Sequence, residues 1–332
     1  MRTVLVTGGA GYIGSHTVLT LLEEGYSVIV YDNLKKGHRE FVLGGEFIKG
    51  DLLDRTALRN LFDTRKIDYV IHLAGDTSVP ESMAKPYDYF QNNVVGGLNL
   101  VSEMLLHKVH KIVFSSTAAV YGSPSKMPIT ESFIPNPQNP YGESKLMFEK
   151  ILFWGSEACG LEYISLRYFN VGGADLKGRI GERHFPETHL IPIILEVASG
   201  EKEVLEIYGS DYPSKDGTCI RDYIHVIDVA NAHVLALHML DKGIKNRIYN
   251  LGNNRGFSVN EIVKISQEIT GKKIKIRYAA RRPGDPPILV ASSKKIKKEL
   301  GWEPHYQDIR TIISSAWEWH KKERSGSTRS GN

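Results

Sequence analysis

The run Val4-Leu-Val-Thr-Gly8-Gly-Ala-Gly11-Tyr-Ile-Gly14-Ser-His16 limits the fold more than any other stretch of this chain. A short apolar strand feeds a glycine turn, and the turn opens a helix. Gly9, Gly11 and Gly14 satisfy G-x-G-x-x-G, while Gly8, Gly11 and Gly14 give G-x-x-G-x-x-G. The first glycines permit a tight turn with positive φ. Gly11 lets backbone approach a pyrophosphate, and Gly14 lets the helix lie close to the strand. The helix N-terminus then offers N–H groups and partial positive charge to that pyrophosphate. The motif gains weight from an acid at the end of the next strand, Asp32. Its carboxylate would accept ribose hydroxyls and repel a 2′-phosphate, which favours NAD over NADP. The other reading of Asp32 is a turn-forming residue before Asn33. Asp51, after the third strand, stands where an adenine contact is expected.

The pattern around the turn agrees with a parallel sheet. Short runs rich in Val, Ile and Tyr, apolar on both faces, predict strands over 3–7, 27–32, 46–48, 69–73, 111–115 and 163–167. Helices are expected over 13–24, 55–62, 88–107 and 140–158. This alternation predicts an α/β, Rossmann-type doubly wound parallel sheet over 1–170. After Asn170 the texture changes, and 171–190 is rich in Gly, His and charge. Helices over 191–199, 226–240, 259–270 and 308–322, with strands over 204–208 and 274–278, predict a smaller C-terminal α+β domain over 171–332. Segments near 226–251 are expected to return to the first domain. The end, 325–332, is rich in Gly and Ser and expected to fray.

Length and composition exclude several alternatives. At 332 residues a core forms without disulfide or metal staples. A net charge of +4, spread along the chain, gives no nucleic-acid face. No apolar run approaches the roughly 20 residues that span a bilayer, and Met1 leads straight into a strand with no leader pattern, so a cytoplasmic protein is expected. Cys159 and Cys219 read as two reduced, buried thiols. The 12 His look scattered, with no ligand pattern, so no metal is expected.

A second constellation carries chemistry. Tyr141-Gly-Glu-Ser-Lys145 follows a Pro that suits a helix start, and the spacing of four puts both side chains on one face. An ammonium beside a phenol should lower the Tyr pKa below its reference of about 10, giving a general base near neutral pH. Phe114-Ser-Ser-Thr117 ends a strand, placing a hydroxyl at the carboxyl edge of the sheet where ligands bind. Thr117, Tyr141 and Lys145 together suit removal of a proton from a substrate alcohol.

With these residues in view, the chain resembles the extended short-chain dehydrogenase/reductase family, and within it the UDP-glucose (UDP-galactose) 4-epimerase group, over nearly its whole length. The more specific stretches are Arg167-Tyr-Phe-Asn170, Tyr208 through His225, Tyr249-Asn-Leu-Gly252 and Arg281-Arg-Pro-Gly-Asp285. The resemblance implies that Tyr141 takes the proton from the sugar 4-hydroxyl while C4 passes hydride to a tightly bound NAD. The 4-keto sugar then turns about its diphosphate, hydride returns to the opposite face, and Tyr141 returns the proton. It implies that Thr117 holds the reacting oxygen and that Lys145 holds the nicotinamide ribose. NAD is then lined by Gly8, Gly11, Tyr12, Ile13, Gly14, Asp32, Asn33, Gly37, Asp51, Leu52, Leu73, Ala74, Gly75, Thr77, Asn92, Tyr141, Lys145 and Phe169. Asn170, Leu190, Tyr208, Arg221, Arg282 and Asp285 match the UDP-sugar contacts, and the arginines suit a diphosphate. Arg221 also reads as a strand-face ion pair, and Asn170 as a loop residue. A homodimer through the helices over 88–107 and 140–158 is likewise implied.

Three departures from the family pattern stand out. Gly75-Asp76-Thr77 replaces a Gly-Leu-Lys run, removing a cation from the cofactor site and predicting a weaker hold on NAD. Thr188-His189-Leu190 replaces Asn-Asn-Leu, so His189 either touches sugar or diphosphate or is structural. Leu289 stands where others carry Tyr or Cys, which predicts tolerance of UDP-GlcNAc and UDP-GalNAc. A dehydratase would follow Thr117 with Asp-Glu, whereas this chain has Ala118-Ala119. Epimerisation of a UDP-uronate stays open, and a non-catalytic NAD-binding scaffold could dispense with Tyr141 and Lys145.

Overall fold

A computed structural model describes residues 2–282 and 285–327. Pro283 and Gly284 of the 281–285 run, and Met1, lie outside the described residues. Of the end expected to fray, 325–332, residues 325–327 instead continue the last helix, and 328–332 lie outside the described residues.

In chain order the first half comprises β1 (Thr3–Thr7), α1 (Tyr12–Glu23), β2 (Ser27–Asp32), β3 (Glu46–Lys49), α2 (Arg55–Thr64), β4 (Tyr69–His72), α3 (Val79–Ala84), α4 (Pro86–Phe90), α5 (Gly96–Leu106), β5 (Lys111–Thr117), α6 (Pro140–Cys159) and β6 (Glu162–Tyr168). The second half comprises β7 (Asn170–Gly172), α7 (Leu190–Ser199), β8 (Leu205–Tyr208), β9 (Ile220–His225), α8 (Val226–Asp241), β10 (Arg247–Leu251), β11 (Gly256–Ser258), α9 (Val259–Thr270), β12 (Ile276–Ala279), β13 (Ile288–Leu289), α10 (Lys294–Leu300) and α11 (Ile309–Ser327).

Seven strands form one parallel sheet in the order β10-β6-β5-β4-β1-β2-β3. The order reverses between β1 and β4, so a crevice opens above the carboxyl ends of those two strands. Strand alternation explains the two buried layers. Val4 and Val6 enter one core with Val18 and Leu21 of α1 and Leu237 and Leu240 of α8. Leu5, between them, enters the opposite core with Leu58 of α2, Leu100 and Met104 of α5, and Phe148 and Leu152 of α6. Strand β10 lies parallel to β6 at the sheet edge, so 247–251 completes the sheet from late in the sequence.

A third core packs α7, α9 and α11 through Ile194, Ile262, Ile312 and Ile313. Beside it, β9 pairs with β11, β7 and β13, and β8 pairs with β12.

The expected helix over 88–107 is broken into α4, a π-helical turn at Gln91–Val95, and α5. The wide turn falls on Asn92 and Asn93, a position where such bulges commonly serve a site. The expectation of two buried thiols holds for Cys219 only. Cys159 is exposed, because the last turn of α6 runs out to solvent before its left-handed cap at Gly160.

Candidate active site

The glycine turn sits at the reversal point of the sheet. Gly8, at φ +73°, receives no side chain because a Cβ there would stand 2.5 Å from the Ala74 amide nitrogen. The loops after β1 and β4 thus meet backbone to backbone. A Cβ on Gly14 would come within 2.0 Å of the Gly8 carbonyl oxygen. Gly11 caps α1 with no side chain bonded to the helix end, so the first N–H groups of a three-turn helix face the crevice. These are the features a dinucleotide pyrophosphate requires, and the residues present fit NAD.

Asp32 is buried and accepts hydrogen bonds from the Ala10 amide at 3.0 Å and the Leu34 amide at 2.8 Å. It ties the glycine turn to the following loop, where a Cβ on Gly37 would stand 3.0 Å from its Oδ1. Asn33 donates to Asp51 at 2.9 Å, so these two expected adenosine contacts form one unit. Leu52 and Phe169 are buried, Ile13 and Leu73 partly so, and Thr77 is exposed. Tyr12 sends its hydroxyl away to the Gly173 carbonyl at 2.5 Å.

Helix α6 positions the proton-transfer residues. Asn139 caps it by accepting from the Gly142 amide at 2.8 Å, and Pro140 occupies its first turn. Tyr141 and Lys145 are both buried one turn apart. Lys145 donates to the Ser115 carbonyl at 3.0 Å, and its ammonium lies 5.0 Å from the Phe114 ring centre. A Cβ on Gly75 would stand 3.3 Å from Lys145 Nζ. Burial lowers the Lys145 ammonium to about 8, with Asp76 pulling the other way. The expected fall in the Tyr141 pKa is corrected here. Burial pushes the phenol up, and its hydrogen bond with Thr117 offsets only part of the rise. Lys145 is held against β5 by its carbonyl bond, and in the chain alone desolvation governs the phenol.

Two groups absent from the sequence reading shape this corner. Asn93, next to the expected Asn92, accepts from the Asp76 amide at 2.8 Å and donates to Ser144 at 3.0 Å. Asn92 itself donates to Asn93 at 3.1 Å. The π-turn changes the helical phase, which a reading based on regular periodicity does not foresee. Lys35 reaches Asp76 at 3.1 Å. The carboxylate introduced by the Gly75-Asp76-Thr77 departure is thereby neutralised by a lysine 41 residues away in sequence.

The second half of the site lies on the smaller sheet. Arg221 of β9 pairs in register with Leu289 of β13 and makes an ion pair with Asp285. The Arg282 guanidinium stacks 3.8 Å from the Tyr208 ring centre, and the Tyr208 hydroxyl donates to Glu206 at 2.8 Å. Leu289 is partly buried against the apolar cluster that contains Phe169, Tyr121 and Ala291. Asn170 is exposed on β7, and Leu190 opens α7.

The reading of the histidines as scattered is also corrected. His189 Nδ1 lies 2.7 Å from Glu182, and His184 lies 3.4 Å from the same carboxylate. With Glu187, these four side chains place ligand-type atoms within 4.8 Å of one another. Against the downward pull of burial, Glu182 and Glu187 raise His184 to about 9 and His189 to about 10. A loop fold, not a helical spacing, makes this grouping.

The model of the NAD dependent epimerase/dehydratase family matches residues 4–252. A UDP-glucose 4-epimerase of Halalkalibacterium halodurans is 53% identical over 323 residues, covering 97% of each chain. The chain belongs to the NAD dependent epimerase/dehydratase family, within its UDP-glucose 4-epimerase group. Two solved structures agree in shape. The Brucella ovis UDP-glucose 4-epimerase in complex with NAD is 46% identical with a TM-score of 0.93, over 96% of this chain and 98% of that one. The Bifidobacterium longum UDP-glucose 4-epimerase in complex with NAD+ and UDP is 39% identical, also with a TM-score of 0.93, over 98% of this chain and 100% of that one.

Proposed function

We propose that the chain interconverts UDP-glucose and UDP-galactose by reversible 4-epimerisation on a retained NAD, with Tyr141 as the acid/base. The observation that carries this reading is the placement of Tyr141 and Lys145, buried on one face of α6, with Lys145 against Gly75 of the same loop whose Ala74 meets Gly8 of the glycine turn. NAD, when bound, supplies an acceptor and later a donor of hydride for sugar C4.

Tyr141 accepts the sugar 4-hydroxyl proton at its phenolate oxygen and returns it from the same oxygen after the sugar has turned. Thr117, which already shares a hydrogen bond with the phenol, orients the reacting oxygen. Lys145, fixed on the Ser115 carbonyl, supplies a donor to the cofactor ribose. Arg221, Arg282 and Tyr208 hold the diphosphate and uridine, Asp285 sets the Arg221 fork, and Asn170 and Leu190 line the sugar side. Asn93 and Ser144 keep Asp76 and the loop after β4 in place under the site.

Incubation with UDP-galactose in the absence of added NAD, followed by NMR, tests this directly. Appearance of UDP-glucose supports epimerisation on a retained cofactor. No conversion with or without added NAD would sink it.

Leu289, packed on the cluster that contains Phe169 and aligned with Arg221, supports turnover of UDP-GlcNAc and UDP-GalNAc as well. Absence of UDP-GlcNAc turnover alongside good UDP-galactose turnover removes that extension. The working unit is a homodimer built on the two outer helices. Val95, Leu98 and Leu106 on one, and Met147, Phe153 and Trp154 on the other, are exposed apolar side chains, a grouping that marks an interface. Among the described residues no helix is long and apolar enough to cross a membrane, and the proposed compartment is the cytoplasm.

A further inference from the structure

The acid–histidine cluster over 182–189 is used by no step above. It lies in the segment between β7 and α7, and all four members fall within eight residues as Glu182-x-His184-x-x-Glu187-x-His189. We propose that Glu182, His184, Glu187 and His189 form a binding site for one divalent transition-metal ion, with Zn2+ the ion that suits the donor set.

Geometry supports this first. Around the cluster, His189 Nδ1 lies 2.7 Å from Glu182 and 3.3 Å from Glu187, and His184 Nδ1 lies 3.4 Å from Glu182 and 3.5 Å from Glu187. A tetrahedron with ligand atoms at roughly 2.1 Å from a zinc ion has edges of roughly 3.4 Å. The four histidine–carboxylate distances bracket that edge, with Glu187 offering one oxygen to each ring, and all four side chains place a donor within 4.8 Å of the others. Two imidazoles and two carboxylates match the nitrogen and oxygen preference of zinc. Two carboxylate charges also balance a divalent ion.

The surroundings add supports of the kind that orient metal ligands. Glu187 Oε1 accepts from the Thr188 and His189 amides at 2.7 and 2.8 Å, which fixes the plane of the carboxylate. The Trp319 indole donates to the Glu182 carbonyl at 3.1 Å, holding that end of the segment on α11. His184 Nδ1 is buried and has no hydrogen-bond partner of good geometry. A cavity of about 680 Å³, lined in part by Glu182, His184 and Glu187, gives an ion a route in from solvent.

The position gives the ion a role. Tyr12, at the start of α1, packs edge-on to His184 with ring centres 6.4 Å apart. His189 is the N-cap of α7 and precedes Leu190. The ion therefore pins the glycine-turn helix, the segment after β7 and the start of α7 to one another, between the cofactor and substrate halves. Its role is structural: it keeps four ligands and leaves no open position for substrate.

The test uses the full-length protein, dialysed against a chelator and then titrated with Zn2+ by calorimetry and with Co2+ by visible absorption. The expected result is one ion per chain, micromolar or tighter, an intense tetrahedral Co2+ spectrum, and a Tm that rises with added Zn2+. In His184→Ala and Glu187→Gln, each checked for folding by circular dichroism, Zn2+ binding should weaken by roughly 100-fold. If neither variant folds, the wild-type stoichiometry and Co2+ spectrum decide. Failure of the wild-type protein to bind Zn2+ would leave a cluster of ion pairs only and overturn the proposal. Unchanged binding in a folded variant would overturn it equally.

Discussion

Lys145 donates to the Ser115 carbonyl at 3.0 Å, so the ammonium that serves the site is tethered to the strand that also presents Thr117. The tether lies in a buried pocket, and that burial lowers the ammonium to about 8. For a lysine with a depressed folded pKa, the stabilising contribution is present above the unfolded value of 10.5 and is lost as pH falls through about 8. At pH 7 the charge therefore opposes folding, by a cost on the order of 3 kcal/mol before its hydrogen bond is counted. Lys145→Met should raise the Tm of the NAD-free chain by a few degrees while epimerase activity falls by at least about 100-fold. Calorimetry at pH 7 and pH 10 checks the sign, because the gain should shrink at the higher pH.

Tyr141→Phe removes the hydroxyl and keeps the ring beside Tyr89, 6.5 Å away. Turnover should fall by about 100- to 10,000-fold, with UDP affinity little changed. Steady-state kinetics with a parallel UDP titration measures both, and near-normal turnover would exclude Tyr141 as the base.

The Arg221 guanidinium is positioned from both arms, one on Asp285 and the other on the Ile220 carbonyl at 2.9 Å. Arg221→Lys keeps the charge and loses the planar fork. The expected outcome is a KM for UDP-galactose higher by roughly 10- to 100-fold, with a much smaller change in kcat. A fall in kcat at unchanged KM would place Arg221 outside substrate binding.

Four buried histidines set the acid limit of the fold. Burial lowers His16 to about 4, His72 to about 3, His225 to about 3 and His233 to about 4. A base with a depressed folded pKa gives stability present above the unfolded value of 6.5 and lost as pH falls towards those folded values. At one pH unit below that reference the loss is about 1 kcal/mol per histidine. Denaturant unfolding should therefore show stability declining steadily from pH 6.5 to pH 4.5. A flat profile over that window would show that the four rings are not neutral in the fold.

Trp154 is 67% exposed on α6 and Leu98 is 46% exposed on α5. Leu98→Glu with Trp154→Glu should convert a dimer to a monomer in sedimentation velocity, with the far-ultraviolet circular dichroism unchanged. A wild-type protein that sediments as a monomer would refute the dimer outright.

The local features of this protein were decided by neighbouring residues, and for that reason they could be read from the chain. Gly8, Gly11 and Gly14 act within one strand–turn–helix unit, Asn139 and Pro140 start α6, and the spacing of four places Tyr141 above Lys145. Alternating Val4, Leu5 and Val6 supplied two buried faces and hence the parallel sheet. Tertiary structure decided what depends on distant partners or on removal from water. Lys35 reaches Asp76 across 41 residues, the π-turn puts Asn93 where regular spacing would not, and β10 finds β6 from late in the chain. The Tyr141 phenol rises instead of falling because desolvation is a property of the folded interior. Glu182, His184, Glu187 and His189 were all visible as letters. Only a folded segment held by Trp319 and Tyr12 turned their irregular spacing into one converging group, because no regular backbone period points four such side chains to a single centre.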